Sequence, residues 1–264
     1  MPHISINTLL GIIIGVGLFI MAIINSTDNY LMFLSISSLY IVLGGTIAST
    51  MIAYHGRYVI KTLIALFSII IPLYIKPKTQ FKEVEIVINL AKIKRKKGVV
   101  GVEKALSDDA KKDPFIKFCL NLLTSEYETS EMKEMMENAI ESNHERDSVQ
   151  ANILESMAGF APAYGMIGTL VGLIIMLEKM GSDVTKIGPG LAIALITTLY
   201  GAVLAQIIFK PASEKVRQKL DIKRFREYLL VEGFLLLHEG KDSITIQDRL
   251  NSFLEPKKHF TITK

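Results

Sequence analysis

The chain has 264 residues, of which half are hydrophobic and 21% are charged. This composition is too apolar for an ordinary soluble domain and too charged for a chain buried entirely in lipid, so we expect part of it in a membrane and part in water. The single cysteine, Cys119, excludes a disulfide framework and a cysteine-based zinc site. The net charge of +4 is modest, so nucleic acid is not an expected partner.

Four apolar runs are long enough, at 1.5 Å per residue, to cross about 30 Å of hydrocarbon. They lie at 4–24, 31–54, 156–177 and 187–209 and form two hairpins. The loop at 25–30 contains no Lys or Arg, whereas residues 55–150 contain sixteen. The positive-inside rule therefore predicts that this middle block and both termini are cytoplasmic.

A further apolar segment, 62–75, has only fourteen residues, contains Pro72 and is bracketed by Lys61 and Lys76. Its length favours an interfacial helix on the inner leaflet over a fifth span. A fifth span would also move the basic block outside, against the charge rule.

The remaining sequence has helical periodicity and few strand signals, which predicts an all-α, polytopic membrane protein with a helical cytoplasmic domain. A long charged helix at 130–157 is expected to continue into the third span, and an amphipathic helix is expected at 213–240. The predicted domains are a hairpin at 1–54, an interfacial helix and cytoplasmic domain at 55–150, a second hairpin at 151–210, and a cytoplasmic helix and tail at 211–264.

Small residues follow one face of the third span. Gly165, Gly168, Thr169 and Gly172 have the spacing i, i+3, i+4 and i+7, with Pro162 on the same side. The fourth span carries a similar set that includes Thr197, Thr198 and Gly201. In lipid, such residues let helix backbones approach closely. The faces either pack only against each other or serve a function, and a threonine hydroxyl can also bond its own helix backbone.

None of the four predicted spans contains Asp, Glu, Lys, Arg or His in its interior. An ion pathway normally needs such a group at membrane depth, so a carboxylate for any ion route would have to come from a partner. The sequence also lacks a phosphate-binding loop, a nucleophile elbow and a cluster of histidines and carboxylates, so an enzyme is not expected.

Several stretches resemble the MotA/PomA stator subunits of the bacterial flagellar motor, relatives of TolQ and ExbB. They are APAYGMIGTLVGL (161–173), IGPGLAIALITTLYGAVL (187–204), LGGTIAS (43–49) and KRKKGVVGVEKAL (94–106). The resemblance covers nearly the whole chain. It implies a homopentamer in the cytoplasmic membrane around a dimer of a single-span MotB/PomB-type partner, whose aspartate binds the translocated Na⁺ or H⁺, with no bound cofactor.

The resemblance also implies roles for two prolines, Pro162 and Pro211, which match positions that couple ion passage to movement. A proline frees a backbone carbonyl and can act as a hinge, which fits this role. From the residues alone, Pro211 is better interpreted as a helix stop at the membrane surface.

Arg95 and Glu103, spaced around Gly98, match the family's charged pair that faces the rotor protein FliG. Charges suit a sliding contact because they steer and align partners without an adhesive apolar patch. Without the resemblance, KIKRKK (92–97) would be a solvated basic face or a contact for anionic lipid, and this interpretation stays open for its lysines.

Thr169 and Thr198 match positions where sodium-driven members carry threonine, which slightly favours Na⁺ over H⁺. One departure is Ser35, which stands where some sodium-driven members have an acid; the nearest acid upstream is Asp28. The alternatives are a TolQ/ExbB-like energiser of outer-membrane transport and a structural scaffold without ion flux.

Overall fold

The computed structural model describes residues 6–68, 78–105, 113–180, 187–256 and 259–260. Within these ranges the chain is helical and has no strand, which confirms the all-α prediction. The α-helices are α1 Ile6–Ser26, α2 Ile36–Leu39, α3 Gly45–Ala53, α4 Gly56–Ser68, α5 Lys78–Ala105, α6 Pro114–Leu123, α7 Thr129–Met180, α8 Ile187–Val203, α9 Lys210–His238 and α10 Ser243–Asn251. Two π-helical segments, Tyr40–Gly44 and Leu204–Phe209, connect α2 to α3 and α8 to α9.

Among the residues that the structure describes, three helical stretches are long and apolar enough to cross a membrane: Tyr30–Ala53, Thr129–Glu178 and Ile187–His238. The apolar stretch of α1 found by the same criterion, Ile13–Ser26, is shorter, so the count of four spans stays a prediction. Part of the segment at 62–75 lies outside the described residues, and α4 ends within it at Ser68.

The two longest helices are continuous through their prolines. Helix α7 confirms the prediction that the charged helix at 130–157 runs into the third span, with Pro162 inside it. Helix α8, the second π segment and α9 also follow one another without a break, so the interpretation of Pro211 as a helix stop is wrong. The ring of a proline inside a regular α-helix clashes with the carbonyl four residues before it. Just before Pro211 the helix is wider: the Lys210 N–H donates to the Ala205 carbonyl, five residues back.

The chain divides into two compact units. The first unit, residues 1–74 and 147–218, holds a small core of Val42, Ile153, Leu154, Met157, Ala161, Ala205, Phe209 and Ala212. Hydroxyl groups join its helices: Tyr54 Oη is 2.8 Å from Ser156 Oγ, and Tyr164 Oη is 2.7 Å from Ser49 Oγ. The Tyr164 ring lies against the backbone of Gly45, where a side chain would collide with it.

The second unit, residues 75–146 and 219–264, packs parts of α5, α6, α7, α9 and α10 around large apolar side chains. Fully buried members include Ile88, Met132, Met136, Ile140 and Phe234. Charged pairs join the same helices on the outside. Arg224 donates to both carboxylate oxygens of Glu141, at 2.7 and 2.8 Å, and Arg226 lies 2.7 Å from Asp113.

Side-chain caps fix the starts of two helices in the second unit. Asp113 accepts hydrogen bonds from the Phe115 and Ile116 backbone and precedes Pro114, the first residue of α6. Asp242 caps α10 in the same way, and hydrogen bonds from the Thr245 hydroxyl and from the helix backbone lower its pKa. The domain boundaries predicted at 54, 150 and 210 stay predictions.

Candidate functional site

The interface between α7 and α8, within the first unit, is built from glycines. A methyl group added at any of four positions would lie 2.6 to 3.1 Å from the nearest atom of the opposite helix, which is tighter than ordinary van der Waals contact. The four are Gly165, Gly168, Gly172 and Gly201. The two helices are therefore in backbone contact, the arrangement that small residues allow in lipid.

Two threonines meet across this interface. The hydroxyl groups of Thr169 and Thr198 are hydrogen-bonded to each other. Thr169 Oγ1 also lies 3.1 Å from the carbonyl oxygens of Gly165 and Ala194, and Thr198 Oγ1 lies 3.3 Å from the Gly165 carbonyl. Two hydroxyl and two carbonyl oxygens thus form a compact group, hereafter the oxygen cluster.

The neighbouring threonine shows why the cluster is distinctive. Thr197 is buried, and its hydroxyl bonds the carbonyls of Ile193 and Ala194 on its own helix at 2.9 and 2.8 Å. Thr198 is exposed and Thr169 is partly exposed. One threonine of α8 is therefore occupied by packing, whereas the next presents its hydroxyl at the surface of the hairpin.

The two prolines flank the oxygen cluster along the chain. Pro162 is partly buried and lies seven residues before Thr169, which places both on one face of α7. It has no N–H, so the Ala158 carbonyl loses its helical partner. Pro211 is exposed at the second position of α9.

The predicted pair Arg95 and Glu103 is separated by a kink in α5. Gly98 has φ 69° and ψ −170°, a left-handed conformation that glycine adopts without strain, and it divides α5 between the two residues. Arg95 is exposed, whereas the Glu103 side chain lies outside the described residues.

The residues alone left open that Lys94 is part of a solvated basic face at 92–97. The structure contradicts this for Lys94. Its Nζ donates to the carbonyls of Leu237 and His238 at 2.5 and 3.2 Å and thereby caps the end of α9. Burial lowers the pKa of Lys94. Lys92 and Lys96 are exposed, which agrees with that interpretation.

The chain is similar to known proteins in family, in sequence and in fold. Residues 107–226 match the MotA/TolQ/ExbB proton channel family. The Bacillus subtilis protein YtxD is 32% identical over 251 residues, which cover 93% of this chain and 89% of YtxD. The chain belongs to the MotA/TolQ/ExbB family. Chemotaxis protein PomA of Vibrio alginolyticus is 29% identical over 96% of this chain and 97% of PomA. The flagellar MotAB stator complex from Bacillus subtilis shares the fold, with a TM-score of 0.83, 20% identity and coverage of 96% and 97%.

Membership of this family settles two broad points. The MotA/TolQ/ExbB proteins are channel and motor subunits, so the chain is not an enzyme. Its described residues include long apolar helices, and it is a multi-pass protein of the bacterial inner membrane.

Within this MotA/TolQ/ExbB member, Ser35 has a structural task. Its hydroxyl accepts a hydrogen bond from the Ser38 backbone at 3.2 Å and so caps α2. The Tyr200 hydroxyl lies beside it, accepting from the Ser35 N–H at 3.2 Å and donating to the Phe33 carbonyl at 2.6 Å. Asp and Ser cap helices about equally well, so the departure from an acid at this position leaves the helix start intact.

Proposed function

We propose that this chain is the ion-driven stator subunit of a bacterial flagellar motor, in which cation flux drives rotation and torque. The oxygen cluster of Thr169 and Thr198 carries the proposal. It lies on a hairpin whose predicted spans contain no Asp, Glu, Lys, Arg or His, so it offers neutral oxygen ligands and needs a charge from outside. Such oxygens can replace part of the hydration shell of a small cation.

The negative charge comes from a single-span MotB/PomB-type partner, whose aspartate would face the cluster. The similar Bacillus subtilis structure is a MotAB stator complex, which supports this partner. The subunit assembles as a homopentamer in lipid around a partner dimer, with four spans and both termini in the cytoplasm. Arg95 and Glu103 contact the rotor protein FliG, and Pro162 and Pro211 couple ion passage to movement.

Na⁺ is favoured slightly over H⁺ because a hydroxyl ligand serves a dehydrated metal cation, whereas a proton needs only the carboxylate. The deciding measurement is rotation speed against Na⁺ concentration at fixed proton-motive force, in cells that lack their own stators and express this chain with its partner. Speed that rises and saturates identifies a sodium motor. Rotation indifferent to Na⁺ identifies a proton motor and returns both threonines to packing.

Rotation together with cation uptake by the same cells separates the other functions. A TolQ/ExbB-like energiser would pass ions without rotating the motor, and a scaffold would neither pass ions nor rotate it. Both outcomes contradict the stator proposal.

Thr169→Ala tests the cluster itself. In a sodium motor we expect the half-saturating Na⁺ concentration to rise roughly tenfold, the effect of about 1.4 kcal/mol of lost ligand energy. Thr197→Ser is the matched control because the Thr197 hydroxyl is held by its own helix, and it should leave this concentration unchanged. An unchanged value in Thr169→Ala would remove Thr169 from the ion site.

A further inference from the structure

An ion pair joins α7 to the start of α9, beyond the oxygen cluster. Lys210 Nζ donates to Glu155 Oε1 at 2.5 Å, within the first unit. No Asp, Glu, Lys, Arg or His occurs in the sequence between Glu155 and Glu178, or between Ile187 and Lys210. Glu155 and Lys210 are therefore the first charged groups that each helix provides on the side of Pro162 and Pro211, and they contact each other.

The pair lies on the same helix faces as the cluster. Glu155, Pro162 and Thr169 follow one another at intervals of seven residues, so they drift by only about 20° per step around α7. From Glu155 to Thr169 the rise is about 21 Å. The three residues thus form one line along the helix.

The second π segment produces the matching line on the opposite helix. Lys210 follows Thr198 by twelve residues, which in a regular α-helix would place them about 120° apart. The extra residue of the π turn at Leu204–Phe209 reduces this to about 20°. Both cross-helix contacts, Thr169 with Thr198 and Glu155 with Lys210, consequently lie on one side of the hairpin.

The second carboxylate oxygen of Glu155, Oε2, is in a different position from Oε1. Oε2 is buried and accepts no hydrogen bond from the described residues, although the side chain as a whole is 38% exposed. The Ser213 hydroxyl also lies near the Glu155 carboxylate, but it donates to the Ala151 carbonyl at 2.9 Å. A buried carboxylate oxygen without a donor is costly, and a cation is one ligand that satisfies it.

We propose that Glu155 is the exit ligand of the cation route. This proposal rests on the stator function proposed above. A cation that leaves the oxygen cluster along the line past Pro162 is next bound by Glu155 Oε2. Lys210 holds Oε1 and offsets the carboxylate charge, so the cation is released and not trapped. Glu155 and Lys210 thereby extend the ion route beyond the threonines.

The test compares Glu155→Gln with Glu214→Gln, expressed with the single-span partner in stator-free cells. Glu214 is the matched control because it is the other acid near Lys210, at 3.6 Å and on the same helix. Rotation speed is measured against cation concentration, and assembly is measured by co-purification with the partner. We expect Glu155→Gln to assemble and to lose maximal speed roughly tenfold, while the half-saturating concentration stays as in the wild type. Glu214→Gln should match the wild type.

The contrary results are distinct. Unchanged maximal speed in Glu155→Gln, or failure of this variant to co-purify, overturns the exit role; the second result would assign Glu155 to assembly. Wild-type speed in the double variant Glu155→Lys with Lys210→Glu also overturns the exit role. An ion pair that links the helices would then be sufficient for rotation, whichever helix carries the carboxylate. If the wild type itself does not rotate the motor, the stator proposal fails, and cation uptake by wild type and Glu155→Gln still tests the exit role.

Discussion

The two compact units reach close packing by opposite means. In the first unit, α7 and α8 touch through glycines and short hydroxyl side chains. In the second unit, the helices are separated by large apolar side chains and joined outside by charged pairs. The difference follows from the solvent: lipid gives apolar side chains no reason to associate, so backbone contact must replace the hydrophobic effect that operates in water.

The largest expected effect is in the second unit. Phe234→Ala removes a side chain that is 1% exposed and should destabilise this unit by about 3–5 kcal/mol, through lost burial and the cavity left behind. Unfolding of the full-length chain in detergent, followed by circular dichroism, measures the loss. Phe225→Ala, at a position 37% exposed, is the control and should have a much smaller effect.

Gly201→Ala should destabilise the first unit by the opposite change, the addition of one methyl group. That group would lie 2.6 Å from the Ala161 carbonyl, so α7 and α8 must separate, at a cost of about 1–3 kcal/mol. Gly159→Ala on α7 is the control, since no described atom lies within 4 Å of its added methyl. Equal thermal stability of the two variants would contradict the view that backbone contact holds the hairpin.

Glu141→Gln tests the charged contacts of the second unit. Although Arg224 binds both Glu141 oxygens and the Tyr228 hydroxyl donates to one of them, the group is exposed to water. We therefore expect a loss of only about 0.2–1 kcal/mol, and less at high salt. A loss comparable to that of Phe234→Ala would show that charge, and not burial, dominates this unit.

The smallest expected signal is the reaction of Cys119 with a thiol reagent. The residue is fully buried, and burial, with smaller contributions from Asp113 and Glu227, raises the pKa of its thiol. At pH 8 to 9 the native chain should stay unlabelled while denatured chain reacts. Rapid labelling of native chain would show that the second unit opens readily.

Composition and periodicity were sufficient to predict the helical class, three of the proposed spans and the long helix α7, because these depend on local sequence and solvent. The sequence did not predict the kink at Gly98, the two π segments or the cap that Lys94 provides for α9. Each depends on partners distant in the chain or on one backbone conformation. The contact between Thr169 and Thr198 was not predicted either, because it depends on the register of α7 against α8.

Pro162 divides α7 into arms of unequal length. Within the first unit, the helix rises about 22 Å from Pro162 back to Asp147, so a tilt of about 5° at the proline moves Asp147 by about 2 Å. This part of α7 is thus a lever arm, in which a small change of angle becomes a displacement of ångströms.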